Sequence, residues 1–197
     1  MRHCNVSNDQ GFTILEALIV VVFAGILAAM AGPSYFAWSQ RRAVDSAITS
    51  IEGAIKEAQR QAMARSHYCN VAFATIITPA PNTPIVTSSP NPTPTPTTNP
   101  KTYNCLITGD RILENVRLET STDDTSLVTT EVGFNLDFLG KTVDISGSDL
   151  TSNITIVVTH AQNPNLKRCL VVSSPLGLIG TGQYTGTSGS ISRRCTP

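Results

Sequence analysis

The side chains able to do covalent or acid–base chemistry are few in this 197-residue sequence, and they are scattered. His3, His67 and His160 each stand alone, outside any HExxH arrangement. There is no CxxC, no Walker A loop and no GxSxG turn. Gly180-Thr181-Gly182 and the stretch from Gly186 to Gly189 lack the strand-to-helix setting of a phosphate-cradling loop, and read as a flexible tail. Asp123-Asp124 sits among Ser and Thr and reads as a turn before a cation site. We expect no catalytic residues, no metal ligands and no cofactor, and read the chain as a non-enzyme.

Cysteine chemistry is the first exception. Cys4 lies in the polar N-terminal stretch, while Cys69, Cys105, Cys169 and Cys195 follow a long apolar segment. An even set beyond such a segment points to an oxidising compartment and two disulfides. Four cysteines allow three pairings. Cys69–Cys105 would staple the base of a Pro/Thr-rich insertion, and Cys169–Cys195 would pin the C-terminal tail; this is the favoured set. Four free core thiols are the alternative.

A basic set is the second. Lys167, Arg168, Arg193 and Arg194 would be drawn together by a Cys169–Cys195 bridge, and phosphate contacts need only positive charge and reach. Four solvated surface charges are the other reading. The formal net charge of zero gives no whole-chain argument for nucleic acid or anionic membrane.

Glu16 is the third. It stands just before an unbroken apolar run, Ala17 to Gly32. Residues 1–11 are polar, with Arg2 their only Lys or Arg, so the order of an ordinary secretory signal is reversed. The plausible processing point, after Gly11, would leave the apolar helix on the mature chain with Phe12 as its N-terminus. Those sixteen residues make about 24 Å of helix, short of a ~30 Å hydrocarbon core. Adding Phe12 to Leu15 brings Glu16 into the span, where a central acid costs on the order of 2.5–3.5 kcal/mol and less near the interface. A partner is the new Phe12 amine, met between staggered neighbouring chains. A signal anchor with Glu16 among the headgroups is the alternative.

The sequence Gly11-Phe12-Thr13-Ile14-Leu15-Glu16, followed by an apolar run that Pro33 ends, resembles the class III signal and N-terminal segment of type IV pilins and type II secretion pseudopilins. The resemblance implies cleavage after Gly11 by a prepilin peptidase, an inner-membrane aspartic protease that also methylates the Phe12 amine. It implies assembly with other pilin or pseudopilin subunits through this helix, with Glu16 setting register. It also implies a single-pass inner-membrane precursor with its C-terminal domain in the periplasm, then incorporation into a pilus or pseudopilus. Gly25 and Pro33 fall at the helix-weakening positions of that family, where the helix partly unwinds on assembly; this agrees with the low propensity of Gly and the missing donor of Pro.

The elements that must carry these residues follow in order. Residues 1–11 are a leader, 12–33 a transmembrane or filament-core helix, and 34–66 an amphipathic helix. Val44, Ile48, Ile51, Ile55, Ala58 and Ala62 recur at helical spacing, and Glu52 and Lys56 form an i,i+4 pair. Arg41 and Arg42 oppose the positive-inside trend in this orientation; the processing motif is the stronger signal. Residues 67–197 are β-rich. Strands are expected at Tyr68–Ile77, Tyr103–Thr108, Ile112–Leu118, Val132–Phe138, around Ile154–Val158 and at Leu166–Ser173, with a turn at Gly140-Lys141. Thr78–Pro100 reads as an exposed Pro/Thr-rich loop that cannot bury a core. The expectation is an α+β chain: a long N-terminal helix packed on a C-terminal antiparallel sheet, the pilin fold.

The helix text Ala54-Ile55-Lys56-Glu57-Ala58 through Ala62-Met63-Ala64-Arg65, the Phe134/Phe138-Gly140 strand and turn, and Val171-Val172-Ser173-Ser174-Pro175-Leu176-Gly177 are similar to the GspH/FimT group of minor pilins and pseudopilins. This implies a structural subunit of a type IV pilus or a type II secretion pseudopilus. The alternative is a DNA-uptake minor pilin or a tip adhesin acting through its C-terminal domain. The DNA-binding members carry a Gly-Arg-x-Arg motif; the corresponding Gly177-Leu178-Ile179-Gly180 has no arginine.

Overall fold

The computed structural model describes residues 13–74, 84–88, 105–128, 132–144, 146–185 and 189–196. The leader, Gly11 and Phe12 lie outside the described residues, as does most of Thr78–Pro100. Contacts divide the chain into two compact units, Met1–Ser39 and Gln40–Pro197.

A single helix, α1 (Ile14–Arg65), begins in the first unit and ends in the second. Its start is capped by Thr13, whose Oγ1 accepts from the Glu16 backbone N–H at 3.3 Å, while the Ala17 N–H donates to the Thr13 carbonyl at 3.1 Å. Thr-x-x-Glu is a capping pattern, and an acid in the first turn meets the positive end of the helix dipole. The helix runs on through Gly25. It ends where Ser66 takes a positive φ of 54° and the His67 N–H reaches back to the Ala62 carbonyl at 3.2 Å, the 6→1 bond of a Schellman ending.

In the first unit every described side chain from Thr13 to Ala29 and from Ser34 to Ser39 is exposed. In the second, the expected stripe is buried: Val44, Ile51, Ile55, Ala58 and Ala62 are fully covered, and Ile48 nearly so. These residues share one core with Phe73, Phe134, Ile154, Ile156, Val158 and Leu170.

Among the described residues the fold is α+β with two antiparallel five-stranded sheets, where one sheet was expected. In chain order the strands are β1 (Cys69–Phe73), β2 (Pro84–Thr87), β3 (Arg111–Ile112), β4 (Val116–Ser121), β5 (Val132–Leu136), β6 (Thr142–Val143), β7 (Ile154–His160), β8 (Asn163–Ser173), β9 (Leu178–Tyr184) and β10 (Cys195–Thr196). The first sheet runs β3-β2-β1-β5-β6, with Val71 opposite Phe134; the second runs β10-β9-β8-β7-β4, with Val157 opposite Cys169. A 3₁₀ turn, Ser192–Arg194, precedes β10.

Three expectations need correction. The Pro/Thr-rich insertion is not wholly outside the core: Pro84-Ile85-Val86-Thr87 is a strand between β1 and β3, with Ile85 2% and Val86 0% exposed. Two β-branched residues suit a buried strand, and Pro84 stands at its first position, where a missing N–H is tolerated. Residues 105–108 form a turn, not a strand. The glycine-bearing tail is not flexible over Leu178–Tyr184, because β9 pairs with β8 on one side and β10 on the other.

The helix and both sheets meet at two turns. Gln59 Nε2 donates to the Gly177 carbonyl at 2.7 Å and the Gly140 carbonyl at 3.4 Å, and the Thr142 N–H donates to the Pro175 carbonyl at 3.0 Å. Gly177 is needed there: its φ is +68°, and a Cβ would lie 2.4 Å from the Gly140 oxygen.

Candidate functional site

The N-terminal site is built on the first turn of α1. Glu16 is exposed, one residue ahead of an apolar helical surface. Ile14 is 89% exposed, Leu15 68% and Phe23 63%, so the described residues do not cover this surface. No charged residue occurs between Glu16 and Arg41. Among the described residues no single helix is long and apolar enough to cross a membrane; the bent pair Ile14–Ala29 and Ser34–Arg65 passes that test together, by length and composition. The bend falls on residues 30–33, which include Pro33. Gly11 and Phe12 are not among the described residues, so the amine that would meet Glu16 has no described position.

The four distal cysteines form two bridges, Cys69–Cys105 and Cys169–Cys195, each with Cα atoms 5.7 Å apart. The first joins β1 to the segment that follows the insertion, beside a hydrogen bond from the Cys105 N–H to Ser88 Oγ at 2.9 Å. The second ties β8 to β10 across β9.

Beside the second bridge, two of the four basic candidates, Lys167 and Arg194, meet one aromatic ring, that of Tyr184. Lys167 Nζ lies 5.9 Å from the Tyr184 ring centroid, and Arg194 Nη1 is 3.4 Å from the Tyr184 hydroxyl. Arg168 Nε donates to Asp45 Oδ1 at 2.8 Å, so an α1 carboxylate balances its charge. Arg193 is exposed and does not line the groove of about 450 Å³ that Arg41, Asp45, Lys167, Arg168 and Tyr184 share. The groove is therefore of mixed sign.

Asp123, Asp124 and His160 each make hydrogen bonds within the chain. Asp123 takes hydrogen bonds from Thr125, Ser126 and Ser121, the Thr125 hydroxyl foremost, and these hold its carboxyl well below the usual range. Asp124 receives the Ser192 N–H at 2.6 Å and its hydroxyl at 2.9 Å, fastening the tail to the β4–β5 loop. Buried His160 accepts the Gln162 N–H on Nδ1 at 3.2 Å. Among the described residues no group of three His, Cys, Asp or Glu is placed to hold a metal ion.

Sequence reasoning missed one buried ion pair. Glu57 on α1, 8% exposed, accepts from Arg111 Nη2 at 2.8 Å, from the Thr108 hydroxyl at 2.6 Å and from the Thr108 N–H at 2.9 Å. In the sequence Glu57 is one of several charges on a helix, and its partner lies 54 residues away. No family model matches the chain, and no match was found among curated proteins or solved structures.

Proposed function

We propose that this chain is a minor pilin or pseudopilin: a structural subunit of a type IV pilus or a type II secretion pseudopilus, assembled through its N-terminal helix. The observation that carries the reading is the division of α1. Its first part has one acid, Glu16, and an exposed apolar surface; its later part is a stripe buried among strands. In this reading the architecture is the pilin fold, with a long helix whose second half lies on antiparallel sheet. The Gly11-Phe12 junction is the substrate of a prepilin peptidase, and the Phe12 amine meets Glu16 of a neighbour. Two disulfides support a body that folds in an oxidising compartment, the periplasm, while the precursor is held in the inner membrane.

N-terminal sequencing of the membrane-extracted protein tests it. A mature chain beginning at methylated Phe12 is expected; an intact Met1 end sinks the proposal. Given that processing, Glu16→Ala should still insert but enter filaments poorly, scored as the sheared-filament fraction over the membrane fraction. Unchanged incorporation would count against the amine–carboxylate pairing.

A further inference from the structure

Between Glu16 and Arg41 the chain carries no charge, yet only Ala17–Gly32 is continuously apolar, about 24 Å of helix against a ~30 Å core. Lengthening the span toward the N-terminus draws Glu16 into hydrocarbon. Lengthening it the other way adds Pro33, Ser34, Tyr35 and Phe36 and no charge; Ala17–Phe36 is twenty residues, about 30 Å along the helix path, with the 45° bend at residues 30–33 inside it. A proline is tolerated within a membrane helix when nearby groups satisfy the freed carbonyl.

The residue types at the far end fit a wet boundary. Tyr35, Phe36 and Trp38 are 63%, 68% and 52% exposed. The Tyr35 ring centroid lies 6.2 Å from that of Phe36 and 6.0 Å from that of Trp38, so the three form one aromatic cluster. Tyr and Trp pair an apolar body with a polar tip and collect at the headgroup level of bilayers, whereas Phe23, with no polar tip, stands mid-run.

We propose that Tyr35, Phe36 and Trp38 engage the headgroup–acyl boundary on the side of the membrane that holds the body, and that the lipid-spanning segment of the unassembled subunit is Ala17–Phe36. Glu16 then lies at the opposite boundary, outside the hydrocarbon. The inference rests on the membrane-anchored precursor proposed above and is independent of filament assembly.

Trp38 is the only tryptophan, so the full chain carries its own depth probe. The full-length protein is reconstituted in phosphatidylcholine vesicles containing lipid brominated either just below the carbonyls or near the methyl ends. The expected result is blue-shifted Trp38 emission, quenched more strongly by the shallow bromines than by the deep ones. In a Trp38→Phe, Tyr35→Trp double variant the reporter moves one turn toward the bilayer, and the shallow-to-deep quenching ratio should fall. Stronger quenching of Trp38 by deep bromines, water-like emission untouched by either lipid, or an equal ratio in the two proteins would overturn the assignment. An unprocessed Met1 end would defeat the pilin reading and leave this depth result standing, so the two failures are distinguishable.

Discussion

Glu57 is a buried carboxyl of the body, paired with Arg111. Burial alone would raise its pKa, but hydrogen bonds from the Thr108 side chain and backbone, with the Arg111 charge, outweigh it and lower the value below the ordinary 4.5. A carboxyl whose folded-state pKa is depressed contributes stability that is fully present above its unfolded value and lost as pH falls through the folded one. Urea unfolding of the body should therefore shift to lower midpoint as pH drops below about 4.5. Glu57→Gln should cost roughly 2 kcal/mol at neutral pH, the scale of a charged hydrogen bond left half-made. It should also flatten that acid limb. A variant that keeps the wild-type limb would show that other carboxyls govern it. The link from α1 to residues 108–111 is invisible in sequence because each member, taken locally, is an ordinary surface charge.

At the scale of elements, legibility followed the range of the signal. The buried stripe of α1 could be read because its period holds from Val44 to Ala62, and Ser66 marked its end. β7 was read from Ile154, Ile156 and Val158, although Thr155, Val157 and Thr159 proved buried too. β2 was hidden because Ile85 and Val86 sit in Pro/Thr-rich text whose composition argues for a loop. β9 was hidden because its order comes from pairing with β8 and β10, which no local pattern records. Both favoured disulfides are formed, but Asp45, which shapes the groove beside Cys169–Cys195, comes from distant chain; Asp45 and Arg168 are 123 residues apart. That bridge, with Asp124, holds the last strand in place. Cys195→Ser should lower the stability of the body by about 2–4 kcal/mol, measured by urea unfolding of the oxidised protein. A loss below ~0.5 kcal/mol would mean that pairing with β9 and the Asp124 contacts suffice.

For the whole molecule, two units with opposite surfaces share one helix. The described residues of the first expose apolar side chains; the second encloses a core of its own and carries two covalent bridges. The Ser88–Cys105 hydrogen bond has a consequence of another kind. It joins two residues between which sixteen residues, 89–104, lie in sequence. Ring closure depends only logarithmically on length, so removing Pro92–Asn99 halves the number of residues between Ser88 and Cys105 and should change closure by about 0.6 kcal/mol. Urea midpoints of the full-length and shortened proteins should then nearly coincide, and a loss above ~2 kcal/mol would show that the excised residues carry packing of their own. By the same arithmetic an epitope or a fluorophore-binding tag spliced at this point leaves the folding energetics almost untouched, which makes it a natural place from which to label the protein in living cells.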